Sequence, residues 1–126
     1  MITVKVSQLE ELCPVFNTDC NFLNKEITRY EIRDRIDSGY LNSVPCTGIY
    51  SCYDHIGRIA YLAKNGWSDS IVLDVGIPGY HESEWLIWDG NHRFAAAVYL
   101  QLEEIEVEFS GDIDYFNKLF NMNEDE

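Results

Sequence analysis

Within five consecutive positions, Asp89-Gly90-Asn91-His92-Arg93, the chain sets a carboxylate, an imidazole and a guanidinium around a glycine. A glycine lets the backbone bend sharply and approach a ligand closely. A helix starting just after such a bend offers unpaired amide N–H groups and the positive end of its dipole, which together make an anion site, above all for phosphate. His92 and Arg93 place cationic side chains where the isolated helix disfavours them, an arrangement that suits a bound anion. Arg93 can pair bidentately with phosphate oxygens. His92 can donate to a phosphate or act as an acid–base group near neutral pH, and Asp89 can hold Mg²⁺ or orient an attacking hydroxyl. A purely structural reading of the same residues stays open: Asp89 capping the helix, Arg93 paired with one of the 22 acidic residues, and His92 packed against a backbone carbonyl.

Positioning this turn falls to the elements on either side. Trp85-Leu86-Ile87-Trp88 is predicted as a short apolar strand running into the turn. The segment Phe94–Leu102, rich in alanine, is predicted as a helix central to the core. Upstream, alternation of Ile2, Val4 and Val6 with Thr3 and Lys5 predicts a half-buried strand over 2–6. A helix is expected over 24–38 with Gly39 as its C-cap, then a loop over 40–50. A second helix is expected from a Ser51 cap, with Ile56, Ile59, Ala60 and Ala63 on one face and Gly66 as its stop. Ile71–Val75 reads as a buried strand, Tyr80–Glu84 as a polar turn, Ile105–Phe109 as a strand wet on one face, and 115–120 as a last short helix. The order β-α-α-β-β-α-β-α predicts an α+β fold, a small mixed sheet with helices packed on it. There is no internal repeat.

A chain of 126 residues and 14.6 kDa, 46% hydrophobic and 25% charged, is expected to form a single globular domain, 1–126, ending in a short acidic tail at 123–126. No apolar run approaches the roughly 20 residues of a membrane span, and the amino terminus enters a strand pattern at once, so a cytoplasmic protein is expected. Nine Lys+Arg against 22 Asp+Glu give a formal charge of −13. That field repels polyanions, which argues against direct nucleic-acid binding and against anionic membranes; a basic protein partner fits it. Cys13, Cys20, Cys46 and Cys52 match no zinc or redox spacing and read as reduced thiols. His55 and His81 read as ordinary surface or core residues, and Tyr53, Tyr61, Trp67 and Trp88 as core rather than base-stacking platforms. No protein metal-ligand set is predicted.

The run Trp85-Leu-Ile-Trp-Asp-Gly-Asn-His-Arg-Phe-Ala-Ala-Ala-Val-Tyr-Leu, followed by Ile105-Glu-Val-Glu-Phe, resembles the signature of the ParB/sulfiredoxin superfamily. The likeness extends over most of residues 2–109, but only 85–100 is specific, and 14–50 is not matched in detail. It implies a ParB/sulfiredoxin-like fold that places nucleotide phosphates on Gly90, Asn91, His92 and Arg93. It also implies ATP or CTP with Mg²⁺ as cofactor, and phosphoryl hydrolysis or transfer with Asp89, His92 and Arg93 as catalytic residues. Asn91 stands where sulfiredoxins carry their cysteine nucleophile, so sulfinic acid reduction is excluded. A complete partition protein, with its basic DNA-binding domain, is not expected from 126 residues. The turn is most similar to the free serine kinase branch. The glutamate which that branch uses after its proline has no counterpart here: Pro14 is followed by Val15 and Phe16, and the nearest acid after it is Asp19, with Glu26 and Glu31 further along as candidates to replace it.

A second reading is a non-enzymatic acidic binding protein of a mobile element, a nucleic-acid mimic or inhibitor of a host or defence protein built on the same scaffold. From Glu103 to Glu126 there are nine acidic residues against Lys118 alone. On a strand, Glu104, Glu106 and Glu108 would line one face about 6.6–6.8 Å apart, close to the spacing of phosphates along a nucleic-acid strand.

Overall fold

Buried Val, Ile and Leu side chains from all four strands and one alanine-rich helix form the centre of this molecule. The computed structural model describes residues 2–18, 21–23, 25–44, 54–80 and 86–122. Asp19, Cys20, Cys46, Ser51, Cys52, Tyr53, His81, Trp85 and the tail 123–126 lie outside the described residues. The order of elements is β1 (Ile2–Lys5), α1 (Val6–Leu12), α2 (Arg29–Ser38), α3 (His55–Asn65), β2 (Ile71–Gly76), β3 (Ile87–Asp89), α4 (Asn91–Tyr99), β4 (Glu104–Gly111) and α5 (Ile113–Leu119). The strands form one mixed sheet in the order β1-β4-β2-β3. β4 pairs antiparallel with β1 and parallel with β2, and β2 pairs antiparallel with β3. The protein is thus α+β. Among the described residues, no helix is long and apolar enough to cross a membrane.

Period-two alternation turns Val4, Ile71, Leu73, Ile105 and Val107 inward, all buried. α4 packs against α3, with Phe94 through Val98 of α4 and Ile59 and Ala60 of α3 all buried. Truncating Phe94, 1% exposed, would open a cavity at the centre of this layer.

Several elements differ from the sequence expectation for local reasons. The first strand stops at Lys5, because Val6 and Leu9, spaced three apart and both buried, open a short helix α1 that was not predicted. The helix expected over 24–38 begins only at Arg29. Thr28 caps it reciprocally with Glu31, Glu31 N–H donating to Thr28 Oγ1 at 3.2 Å and Thr28 N–H to Glu31 Oε1 at 3.1 Å. Ile27, buried ahead of that cap, forms a parallel bridge with Phe16 instead. Asp54 is itself the N-cap of α3, accepting from Gly57 N–H at 3.0 Å. The same carboxylate takes a two-pronged ion pair from Arg35 of α2, one prong at 2.8 Å, which holds the Asp54 carboxyl below its usual range. Trp88, expected in the core, is 69% exposed.

The end of α4 carries a small strain. Leu102 N–H returns to the Ala97 carbonyl at 3.1 Å and Gln101 N–H to that of Val98 at 3.1 Å, the Schellman pattern. Its left-handed position is occupied by Gln101, at φ 59°, where glycine is free of steric cost. Gln101→Gly is therefore expected to raise the unfolding free energy by about 0.5–1 kcal/mol, read from urea midpoints. Gly57→Ala should do the opposite. A Cβ there would lie 2.6 Å from Arg35 Nη2 and collide with the Asp54 carboxylate, and a loss of about 1–3 kcal/mol is expected in the same measurement.

Candidate functional site

α4 starts immediately after β3 because Gly90 adopts φ 100°, ψ 22°, a left-handed bend. Its carbonyl accepts from Phe94 N–H at 2.8 Å, and no side chain caps the helix. Asp89 therefore does not take the capping role. Close packing also favours glycine here: a Cβ would sit 3.2 Å from Ile71 Cγ1 and 3.3 Å from Arg93 Cζ.

Arg93 folds back over this bend. Its Nη1 donates to the Ser70 carbonyl at 2.7 Å and its Nη2 to Asp89 Oδ2 at 3.1 Å. The Arg93 side chain is 16% exposed and that of Asp89 68%. The guanidinium thus ties the end of β3 and the first turn of α4 to the residue before β2.

His92 points to a different partner. Its Nε2 lies 2.8 Å from Nδ1 of His55, the first residue of α3, with the two ring planes within 8°. Phe22 sets its ring edgewise on His92, centroids 4.9 Å apart. Phe22 is held by its neighbour Asn21, whose Nδ2 donates to the carbonyls of Val15 (2.9 Å) and Lys25 (2.6 Å) and whose Oδ1 accepts from Leu23 N–H (2.9 Å). Burial, reinforced by the charges of His55, Arg58 and Arg93, pushes His92 down to about 4. Burial also lowers His55, with Lys25 acting in the same direction and Asp54 against it. At neutral pH the pair is uncharged and holds one N–H between two nitrogens.

Asn91 faces a cleft of about 390 Å³ whose walls include Cys13, Pro14, Phe22, Asp74 and Tyr115. A shallower hollow of about 310 Å³, lined by Phe22, Ile87, Trp88 and Asn91, adjoins it through three shared residues. Cys13 is a free thiol, and burial pushes it up to about 11, so it is not a thiolate nucleophile at neutral pH. Among the described residues lining the cleft, Asp74 is the charged one, its Oδ1 accepting from Gly76 N–H at 3.0 Å. Also among the described residues, no group of three or more His, Cys, Asp or Glu could hold a metal ion.

Of the five turn residues, Gly90 shapes the bend, Asn91 reaches the cleft, Arg93 and Asp89 pair with one another, and His92 joins His55. Sequence reasoning missed His55, Phe22, Asp74 and Tyr115 as neighbours of the site. For His55 the available signal was its place one residue after a capping aspartate, on the helix that packs against α4. No family model, no curated protein and no solved structure matches the chain.

The histidine pair has a measurable signature. In the unfolded chain imidazoles protonate near pH 6.5, roughly, whereas folded His92 does so near pH 4. Between these limits the unfolded state binds more protons, so stability is full above about pH 6.5 and falls as the pH falls. His92→Phe is expected to flatten the decline between roughly pH 6.5 and 5, a window above most carboxylate titrations. Thermal midpoints of both proteins across that window test it; parallel curves would remove the pair from the account.

Proposed function

We propose that the chain is a nucleotide-binding protein with a ParB/sulfiredoxin-like fold, holding the phosphates of ATP or CTP at the start of α4. The observation that carries this reading is the uncapped first turn of α4, which follows a left-handed glycine and opens through Asn91 onto a cleft walled by Pro14 and Phe22. Uncapped amides at a helix start are donors in search of an acceptor, and phosphate oxygens meet them well. The cleft volume, about 390 Å³, lies in the range of small-molecule sites.

In this reading Arg93 grips phosphate by exchanging its exposed partner Asp89 while keeping the Ser70 carbonyl. That exchange would free the Asp89 carboxylate to orient an attacking hydroxyl or water. His92, neutral and bonded to His55, serves as a hydrogen-bond donor or accepts a proton that the pair can share. Mg²⁺ brought with the nucleotide would neutralise developing phosphate charge, and Asp74 supplies a carboxylate within the cleft. Hydrolysis or transfer of a phosphoryl group is the chemistry such an arrangement supports.

Asn91→Asp separates the ligand role of the helix start from its structural role. An added carboxylate in the first turn complements the dipole and should stabilise the free protein by about 0.3–1 kcal/mol. The same charge should abolish the rise in Tm that Mg-ATP or Mg-CTP gives the wild-type protein. A wild-type Tm indifferent to both nucleotides at millimolar concentration overturns the proposal.

A second reading is favoured by a different observation. Glu104, Glu106 and Glu108 are all exposed while Ile105 and Val107 are buried, so the glutamates stand together on the solvent face of the sheet. That row fits a basic protein partner bound through charge, with no chemistry needed.

A further inference from the structure

We infer that the groove beside Trp67, Leu100 and Leu102 docks a basic, apolar-anchored segment of a partner protein. This rests on the second reading, that the acidic sheet face meets a basic partner, and gives that encounter a place and an anchor. The groove, about 510 Å³, lies between the α3–β2 connection, the α4–β4 connection and the start of β4. It shares no lining residue with the cleft at Asn91.

Its floor and rim differ in character. Leu100 and Leu102 are 41% and 40% exposed, and the hydrogen-bonded turn through Gln101 fixes both against rotation of the backbone. Leu102 keeps 40% of its surface exposed and lines the groove together with Trp67. Asp69, Glu104 and Glu106 supply the charge of the lining, which among the described residues contains no Lys or Arg. An apolar floor with a carboxylate rim matches a segment presenting a large aliphatic or aromatic side chain flanked by Lys or Arg. A second copy of this chain does not match, since it would bring the same carboxylates and a charge of −13. Nucleic acid is disfavoured by the same charge.

The test uses isotope-labelled full-length protein and three short synthetic peptides: alternating Lys and Leu, alternating Lys and Ser, and alternating Glu and Leu. The Lys/Leu peptide should bind saturably and move the amide resonances of Gly66–Asp69 and Leu100–Glu106, and the other two should not. Leu100→Ser with Leu102→Ser should weaken it by about tenfold or more, as should Glu104→Gln with Glu106→Gln. Both pairs are surface changes, and an unchanged Tm shows that the variants are folded. Equal binding of the Lys/Ser peptide, shifts spread over the whole acidic surface, or absence of saturable binding by the Lys/Leu peptide overturns the groove. If the leucine variants bind like wild type while the glutamine variants lose binding, the groove falls and the acidic face stands. If neither pair of variants matters, both fall.

Discussion

Arg93 is the group on which the rest of the molecule is arranged. A cationic side chain only 16% exposed must find partners for its donors, because a charge taken from water and left unpaired is strongly destabilising. It finds them in the Ser70 carbonyl and Asp89, lying close over the left-handed bend at Gly90, where a Cβ would come within 3.3 Å of Arg93 Cζ. The consequence reaches through the sheet. Ser70 precedes β2, Asp89 ends β3 and Arg93 begins α4, so one side chain sets how the edge hairpin meets the central helix. It also acts on the site. With the cation held across the bend, its charge helps keep His92 neutral, and the group of the turn that faces the cleft is the uncharged amide of Asn91.

That arrangement bears on how a protein of charge −13 could hold an anion. Beyond a Debye length, about 8 Å at physiological ionic strength, exposed charges are largely screened. What matters is therefore the local field, and there the helix start contributes positive potential while Asp74 contributes negative. A divalent cation arriving with a nucleotide would reverse the sign of the carboxylate's effect. Glu104, Glu106 and Glu108 point to solvent from a central strand and act on whatever approaches that face.

Much of the framework was legible in the chain itself, because strands and buried helices write their periods plainly. Val4, Ile71, Leu73, Ile105 and Val107 alternate as expected, Gly39 and Gly66 end their helices, and the bend at Gly90 starts α4 as its glycine suggested. The failures are of two kinds. α1 has only seven residues, too few for a helical period to stand out from the adjoining strand. Arg93 meets Asp89 four residues back, a local pairing, but the partner of His92 and the second partner of Arg93 are set by tertiary packing. His55 is 37 positions away from His92 and Ser70 23 from Arg93, and no local spacing encodes either meeting. The turn was legible as a turn, and an acidic partner for Arg93 was among its readings; the meetings with His55 and Ser70 were not.

The position of β4 decides what kind of recognition its glutamates can support. An acidic strand at a sheet edge could capture a partner's backbone by adding a strand. β4, however, lies inside the sheet, its first half (Glu104–Val107) laddered to β1 and its second (Val107–Gly111) to β2, so the glutamates meet a partner from the sheet face rather than along an open edge. The edges fall to β1 and β3, of four and three residues, lengths too short to template much pairing. Lys5 stands opposite Glu104 across the β1–β4 ladder and offsets part of the charge at that end, whereas Glu108 faces Val72 with no such offset. Contact with this face must therefore be made by side chains, and charge alone in water gives little affinity between exposed groups. Durable binding needs an apolar contribution as well, and next to Glu104 the exposed apolar side chains are Leu100 and Leu102.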